Sequence, residues 1–491
     1  MTTLSELSKG AVLSASAKLL SKGIGLISTL ILARLLTPSD FGVIAAISIA
    51  LYFFDVLGNV ATEQYIMQKR RLRLEELETA WSVNVVIKCV IFLVLVGSSS
   101  LIANFLNKPE ITAGLVVVSF ILPLNALKSP SLLQQKRMVR YQGLFALSIT
   151  EKLVAFVTVI AIAVTLKSYW AFIIADLVSS LSGVVLSYVW FKKRPRFRLS
   201  AWRSQVAFSS WMLGKNVVGY LRSQVDTVFV SRYFAADTLG QYHLSRELAM
   251  MPGHYFLAPA LEPVLSALRH TVSIRDYFYQ QVSSAVVITL LISIPIAAFL
   301  SVFAEPIALL LLGEQWSMAG HVLSVLAWLV VYWGVVYVLE ITLIAQGKLK
   351  TLFAFDLFTL FTIMMVLGIA LASAADITNV ALYRVLTGVA TTLLVLLVIY
   401  RSHLILAANV FMWALLISAI ALLSANLTLL STQFFTDGNA LSILENLLTL
   451  SCAGLFFLLI YGVGIFGTLL VLRKTKIAIQ VMSIIQSSFE R

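Results

Sequence analysis

Residues 170–198 read WAFIIADLVSSLSGVVLSYVWFKKRPRFR, an apolar run followed by five basic residues within seven positions. A helix needs about 20 predominantly apolar residues to cross the hydrocarbon core of a bilayer. Lys and Arg concentrate in the short loops on the cytoplasmic side. Because this alternation of apolar runs and basic gaps recurs along the chain, the sequence predicts an all-α polytopic membrane protein.

Fourteen apolar segments can be distinguished, each close to the length that a membrane-spanning helix requires. They lie near 15–36, 41–62, 80–104, 111–127, 143–166, 169–191, 208–232, 239–260, 281–304, 318–345, 351–373, 378–400, 405–430 and 443–472. The sequence therefore predicts about 14 transmembrane helices.

Positive charge is distributed unevenly between the two sides of these segments. The odd-numbered connections hold only Lys108 and Lys167, whereas the even-numbered connections and the two tails hold twenty-four of the thirty-six Lys and Arg. By the positive-inside rule, both termini are predicted to be cytoplasmic. Topology thus accounts for most of the net charge of +13, and no nucleic-acid partner is expected.

Composition and loop length exclude several classes of protein. A chain with 60% hydrophobic and 12% charged residues does not fit a soluble domain. No connection much exceeds about twenty residues, which leaves no room for an extramembrane catalytic domain, so no enzymatic activity is expected. Cys89 and Cys452 both lie in apolar segments, which argues against a disulfide framework or a zinc site. No metal or organic cofactor is expected.

Aligning the chain with itself at an offset of 198 residues indicates an internal repeat. Three identical pairs then coincide around the end of a span: Thr29 with Thr227, Arg34 with Arg232, and Gly42 with Gly240. The two spans then enter from the same side, which is typical of parallel repeats in transporters. The predicted organisation is a six-helix bundle over 1–200, a second over 201–402, and helices 13 and 14 with a cytoplasmic tail over 403–491. Alternatively, an Arg at each span end is only an interfacial anchor.

Two stretches carry a family resemblance: Ala17–Gly23, which reads AKLLSKG, and Ala33–Gly42, which reads ARLLTPSDFG. Together with the six-plus-six arrangement, they resemble the polysaccharide-transport branch of the multidrug/oligosaccharidyl-lipid/polysaccharide exporter superfamily. The resemblance covers the whole chain, and residues 33–42 are its most specific part. It implies two six-helix bundles around a central cavity, alternating access and, in some relatives, coupling to a proton or sodium gradient.

Ten basic residues lie within the predicted spans. Arg34 and Arg232 end their spans and are assigned to the interface. The other eight, predicted to bind substrate, are Lys18, Lys22, Lys88, Lys152, Lys215, Arg222, Arg246 and Arg384. Each costs roughly 2.5–3.5 kcal/mol at the bilayer centre, so eight facing lipid would cost on the order of 20 kcal/mol. They are therefore predicted to face water, counter-ions or an anionic substrate.

Helical spacing places several of these charges on common faces. Lys18 and Lys22 are four residues apart, and Lys215, Arg222 and Asp226 follow one face of their helix. The predicted repeat puts the two faces in corresponding positions, as cationic walls suited to a diphosphate. The alternative is that intramembrane acids neutralise the cations, and Arg222 and Asp226 are expected to pair in this way.

Two intramembrane carboxylates, Asp226 and Glu247, are candidates for coupling to a proton or sodium ion, although an ion-pair role explains either equally well. His243 lies one turn from Glu247 and is interpreted as a packing residue, because two ligands do not make a metal site. Prolines and a glycine over 252–263 predict a bent or broken helix, or else a helix end.

These residues and the resemblance predict a bacterial inner-membrane flippase. It would move undecaprenyl-diphosphate-linked oligosaccharide from the cytoplasmic to the periplasmic leaflet during lipopolysaccharide O-antigen, capsule or exopolysaccharide biosynthesis. A polysaccharide polymerase and a chain-length regulator are the expected protein partners. One alternative is a cation-coupled multidrug exporter of the same superfamily, for which a net acidic cavity is expected. The other is an oligosaccharide polymerase or ligase, which usually needs an outer loop longer than the dozen or so residues found here.

Overall fold

Helices account for nearly all the residues that the structure describes. The computed structural model describes residues 4–59, 66–67, 72–192, 195–200, 202–433 and 443–471. Among these residues there are helices and connections but no strand, which confirms the all-α class. The chain divides into two units, Met1–Gly240 and Gln241–Arg491. The three-part organisation predicted from the sequence remains a prediction.

Among the described residues, the first unit contains nine helices and the start of a tenth. They are α1 (Leu4–Leu35), α2 (Pro38–Leu57), α3 (Leu74–Phe105), α4 (Ile111–Val118), α5 (Ile121–Ala126), α6 (Ser131–Arg137), α7 (Tyr141–Leu166), α8 (Trp170–Phe191), α9 (Trp202–Tyr233) and the start of α10 (Ala236–Pro252).

Within the described residues, the second unit contains the remainder of α10 and nine further helices. They are α11 (Ala258–Thr271), α12 (Arg275–Val302), α13 (Ala304–Leu312), α14 (Ser317–Leu326), α15 (Leu329–Ala345), α16 (Leu349–Ala372), α17 (Ile377–Ile399), α18 (Leu404–Gln433) and α19 (Ile443–Val471). A π-helical turn, Gly253–Leu257, separates α10 from α11. The helical path therefore continues through the proline-containing stretch, with a π-helical turn after Pro252.

The described helices include nine that are long and apolar enough to cross a membrane. Two bent pairs raise this number to eleven if each pair is one span. One pair joins Ile111–Ala126 to Ser131–Arg137 at 59°, and the other joins Glu314–Leu326 to Leu329–Ala345 at 41°. The chain is thus a multi-pass membrane protein, and the predicted count of fourteen and the six-plus-six repeat remain predictions.

The surface of these helices agrees with a lipid environment. Large apolar side chains remain exposed at the middle or ends of long helices, including Leu101 at 71%, Ile405 at 80% and Leu455 at 70%. Water-exposed faces of soluble proteins do not carry such continuous apolar surface. These apolar faces are suited to contact with the hydrocarbon chains of lipids.

The start of α2 shows how residues 33–42 form local structure. Thr37 is the N-cap of α2, and its hydroxyl accepts a hydrogen bond from the Asp40 amide at 3.3 Å. The Thr37 amide donates to Asp40 Oδ2 at 3.1 Å, which completes a capping box. Pro38 at the first helical turn needs no backbone donor there. The other Asp40 oxygen accepts from the Tyr169 amide at 3.0 Å, which ties this turn to the start of α8.

The two glycines that the repeat superimposes lie against each other. A β-carbon on Gly240 would lie 2.9 Å from the Gly42 nitrogen and even nearer to the Pro38 carbonyl oxygen. A β-carbon on Gly42 would overlap the Ala236 carbonyl oxygen. The backbones at the starts of α2 and α10 therefore approach closely because neither position has a side chain.

Lys108 is one of the two basic residues on the predicted periplasmic side, and it has a structural role. Its ammonium donates a hydrogen bond to the Phe234 carbonyl at 3.0 Å, and the residue is only 4% exposed. This burial lowers the pKa of Lys108, against the opposing effect of Glu110 and Asp237. Nearby, Arg232 donates to the Phe105 carbonyl and lies 4.9 Å from the centre of the Phe105 ring. Both cations fasten the 105–110 loop to the end of α9.

Candidate functional site

A cavity of about 710 Å³ lies within the first unit. Ligand sites for small molecules typically measure roughly 300–1,000 Å³. Its lining comes from α1, α3, α5, α6 and α7, together with the end of α2 and the connection between α5 and α6. Several helices with different chain positions thus converge on one cavity.

The connection between α5 and α6 forms one wall, because the helical path is broken there. Pro130 lines the cavity at this break, and proline cannot donate a backbone hydrogen bond. The freed backbone groups are bonded instead by side chains: Trp81 Nε1 donates to the Lys128 carbonyl at 3.1 Å, and the Ser129 amide donates to Ser187 Oγ at 3.0 Å. The Tyr188 hydroxyl donates to the Leu127 carbonyl at 2.8 Å. Non-helical backbone at membrane depth is tolerated where it is satisfied in this way and lines a cavity.

Charge in the lining is predominantly positive. Lys22 projects from α1, Lys128 lies in the broken segment and Lys136 lies on α6. Glu151 on α7 is the single carboxylate among the described lining residues. Its Oε2 is 3.0 Å from the Lys128 ammonium, and both side chains are 20% exposed. Three ammonium groups against one carboxylate make this cavity suited to an anion.

The Lys128–Glu151 ion pair is packed against a glycine of α8. A β-carbon on Gly183 would overlap Glu151 Oε1, and it would lie 2.8 Å from Cε of Lys128. The Ser179 hydroxyl of the same helix donates to the Glu151 carbonyl at 3.0 Å. The absence of a side chain at 183 therefore makes room for the ion pair between α7, α8 and the broken segment.

Uncharged polar groups complete the lining. Asn59 lies at the end of α2, Asn84 on α3 and Asn125 on α5. Two aromatic residues, Trp81 and Tyr141, lie beside them in the lining. The cavity thus presents ammonium groups, amides and aromatic surface to the same space.

The chain's family follows from comparison with known proteins. A family model described as "Polysaccharide biosynthesis protein" matches residues 31–321, which is more than half of the chain. The chain belongs to this family. It is therefore a member of the polysaccharide-transport flippases of the multidrug/oligosaccharidyl-lipid/polysaccharide exporter superfamily, and the resemblance carried by residues 33–42 is confirmed.

Two relatives have names that bear on this family. The "Succinoglycan biosynthesis transport protein ExoT" of Rhizobium meliloti is 25% identical over 311 residues, which is 62% of this chain and 62% of that protein. The chain thus aligns with less than two thirds of that relative. The "Lipopolysaccharide biosynthesis protein WzxC" of Escherichia coli is 23% identical over 381 residues, which is 75% of this chain and 76% of that protein.

Solved structures share the fold. A structure titled "Lipid II flippase MurJ, inward closed conformation" has a TM-score of 0.70 at 14% identity and covers 92% of this chain and 98% of its own. An inward-facing multidrug resistance transporter of the MATE family has a TM-score of 0.55 at 10% identity, with coverage of 80% and 95%. At these identities the similarity concerns the fold alone.

One of the predicted substrate-binding residues, Lys22, lines the cavity of the first unit. Lys18 lies in α1, but its side chain is outside the described residues. Lys152 is exposed on α7 beside Glu151 and interacts electrostatically with Asp176 of α8. The roles predicted for Lys18 and Lys152 remain predictions.

Lys88 is held by a neighbouring helix. Its ammonium lies 2.6 Å from Asp55 Oδ1 and donates to the Asp55 carbonyl at 2.8 Å. The Lys88 side chain is 10% exposed, and Gly58 leaves room for it. For this residue the structure provides the counter-ion that the sequence left as an alternative.

The remaining predicted residues occupy α9, α10 and α17. Lys215 and Arg222 are half-buried on α9, and Asp226 is fully buried there. The predicted Arg222–Asp226 pair and the binding roles of these side chains remain predictions.

In the second unit, Arg246 is half-buried on α10, while Glu247 is exposed and lies 4.0 Å from His243. Arg384 on α17 is 3% exposed, and its guanidinium carbon is 5.2 Å from the centre of the Tyr332 ring. A cation over an aromatic face gains electrostatic stabilisation when it is removed from water. Substrate binding by Arg246 and Arg384, and ion coupling by Glu247, stay predictions.

A pocket of about 620 Å³ in the second unit has a different character. Its titratable lining residues are Glu305, Glu314 and His321, and its other polar side chains are those of Ser317 and Asn446. His321 Nε2 lies 3.2 Å from Glu305 Oε1. With two carboxylates and no lysine or arginine among its described lining residues, this pocket does not suit an anion.

Sequence reasoning missed Lys128 and Lys136 as site residues. Both were assigned to a predicted cytoplasmic connection, where positive charge is expected for topological reasons. Their apolar neighbours Leu132 and Leu133, together with Pro130, are the signal that this connection contains a short helix, which forms a bent pair with Ile111–Ala126. Asn84 and Asn125 were missed because single polar residues are common within long apolar segments.

Proposed function

We propose that this protein is a bacterial inner-membrane flippase for undecaprenyl-diphosphate-linked oligosaccharide. It moves the lipid-linked glycan from the cytoplasmic to the periplasmic leaflet for O-antigen, capsule or exopolysaccharide assembly. The observation that carries the proposal is the lysine-rich cavity beside a broken span, in a member of the polysaccharide-transport family. Lysine ammonium groups bind phosphate as mobile point charges.

The position of the cavity suits entry from the cytoplasmic leaflet. The connections next to the lining residues, 63–79 and 128–142, are predicted to be cytoplasmic by the positive-inside rule. In the proposed cycle, the diphosphate binds among Lys22, Lys128 and Lys136 while the polyprenyl chain stays in lipid. Alternating access then exposes the glycan to the periplasm, without any covalent step.

The driving ion forms a separate part of the proposal. Carboxylates within spans commonly mark ion pathways, and Asp226 and Glu247 are the residues proposed to couple transport to a proton or sodium gradient. Transport in proteoliposomes under an imposed proton or sodium gradient tests this, because charge-removing variants at these residues should abolish the dependence on the gradient. A polymerase and a chain-length regulator are the proposed protein partners, and co-purification from membranes tests that association.

Transport by the purified protein in liposomes tests the proposed function. The wild-type protein should translocate a fluorescent diphosphate-linked glycolipid. A triple variant, Lys22→Gln, Lys128→Gln and Lys136→Gln, should lose at least about tenfold in rate, because each charge-assisted contact contributes about 1.5 kcal/mol or more. Lys350→Gln, an exposed lysine on α16, is the matched control. Unimpaired transport by the triple variant would remove the cavity from the mechanism.

A multidrug exporter predicts the opposite charge in the binding site. Lipophilic cations favour an acidic cavity, whereas this lining has three lysines and one glutamate among its described residues. Drug accumulation in a host lacking its own pumps separates the two functions. Expression of this protein should leave accumulation unchanged.

A further inference from the structure

The cavity of the first unit contains a second set of groups that a diphosphate does not use. Asn84 is half-buried on α3, Asn125 is exposed at the end of α5 and Asn59 is exposed just after α2, and all three line the cavity. Within the described part of the chain, no protein group is hydrogen-bonded to the side-chain amides of these three asparagines. Amide groups that line a cavity and bond to no protein group keep their donors and acceptors available to a ligand.

The amides are close to the cationic part of the cavity. Trp81 and Asn84 are three residues apart on α3, which places them on one face of the helix. The Trp81 indole nitrogen is bonded to the Lys128 carbonyl at 3.1 Å. Asn125 lies at the end of α5, three residues before Lys128 in the break between α5 and α6. A ligand whose anionic group lies at Lys128 therefore has its adjoining atoms beside Trp81, Asn84 and Asn125.

We propose that Asn84, Asn125 and Trp81 form a subsite for the sugar joined directly to the diphosphate. This inference rests on the proposed function and specifies what the same cavity recognises. Asparagine provides both donors and an acceptor, which match sugar hydroxyl and acetamido groups. Aromatic surface packs against the apolar face of a sugar ring. Glu151, the carboxylate in the described lining, is engaged by Lys128, so the subsite is suited to an uncharged sugar.

The lysines and the asparagines should contribute separately to binding. The lysines should contribute to binding of any prenyl diphosphate, with or without a sugar. The asparagines should contribute only when the sugar is present. Each amide can form more than one hydrogen bond with the sugar, so loss of one amide should weaken binding about tenfold.

Equilibrium binding by the full-length protein in nanodiscs tests the subsite. Two test compounds are compared: a short-chain prenyl diphosphate, and the same diphosphate carrying one N-acetylhexosamine. Asn84→Leu and Asn125→Leu should each weaken binding of the glycosylated compound about tenfold and leave binding of the sugar-free compound unchanged. Asn426→Leu, an exposed asparagine of α18 bonded only to its own helix at Leu422, is the matched control and should bind both compounds normally.

Should a leucine variant fail to fold, Asn84→Ser and Asn125→Ser measure the same difference with a smaller polar side chain. Equal loss of both compounds, or no loss of the glycosylated one while lysine-dependent binding persists, would overturn the subsite and leave the proposed function standing. Failure of the wild-type protein to bind either compound would instead contradict the proposed function, and the subsite with it.

Discussion

Replacing Gly183 by alanine should disturb the ion pair that lines the cavity. The new β-carbon would lie 2.7 Å from Cδ of Glu151 and 2.8 Å from Cε of Lys128. Carbon atoms in van der Waals contact are roughly 3.5–4.0 Å apart, so the lysine chain would have to move by about 0.7 Å or more. Overpacking of this kind costs about 1–3 kcal/mol. The variant should therefore be less stable and should transport lipid-linked glycan more slowly.

A matched glycine isolates this packing cost. Gly97 lies within α3, and no atom would contact a β-carbon added there. Alanine is favoured over glycine in a helix interior by roughly 0.8–1.0 kcal/mol, and this gain applies at both sites. Gly97→Ala should therefore equal or exceed the wild type in stability, and Gly183→Ala should lie about 1–3 kcal/mol below Gly97→Ala.

Thermal unfolding in detergent, followed by tryptophan fluorescence, measures the difference, and glycolipid transport in liposomes measures the functional effect. The double variant Gly183→Ala with Glu151→Ala provides a further check, because removal of the carboxylate makes room for the new methyl group and should reduce the packing penalty. Identical melting temperatures for Gly183→Ala and Gly97→Ala would refute the reasoning.

Two more predictions concern contacts of the first unit. Asp55→Asn should lower the free energy of unfolding by about 1–3 kcal/mol, because it leaves the mostly buried Lys88 ammonium without its carboxylate. The loss should be smaller than for a fully buried ion pair, because the Asp55 side chain is half-exposed. Adding Lys88→Met should restore part of that stability, and a double variant that melts even lower would contradict the assignment. Gly240→Ala should lower the free energy of unfolding by about 1–3 kcal/mol in the same assay, because the new β-carbon would overlap the backbone near Gly42. Gly219→Ala should not lower it, because no atom lies within 4 Å of a β-carbon added there. Equal melting of these two glycine variants would show that the approach tolerates a side chain.

Much of the architecture could be predicted from the order of residues alone. Membrane-length apolar runs and the one-sided placement of Lys and Arg indicated an all-helical polytopic protein, and Ala33–Gly42 indicated its family. The pattern of residues 37–40 also explains the start of α2, because a capping box needs only neighbours within one turn. Segment 111–127 was less well predicted, since composition does not reveal that its path is broken into α4 and α5 and bends by 59° before α6.

The candidate site was predicted only in part. The cost of charge in hydrocarbon marked Lys22 and Lys88 as residues that need a polar environment. The cost of burying a charge does not tell whether a lysine lines a cavity or pairs with a counter-ion. In the structure Lys22 lines the cavity, whereas Lys88 forms an ion pair with Asp55. Lys128 and Lys136 carry the same charge signal as a cytoplasmic loop, and only the neighbouring Pro130, Leu132 and Leu133 set this connection apart.

The sequence by itself determined which segments lie in lipid and which lie in water, because partition between the two depends on composition over about twenty residues. What only the tertiary structure decided was which polar groups face one another. Lys128 meets Glu151 across 23 positions of sequence, and the ion pair fits because Gly183, on a third helix, has no side chain. Such contacts depend on helix packing and on the break before α6, and neither is a property of local composition.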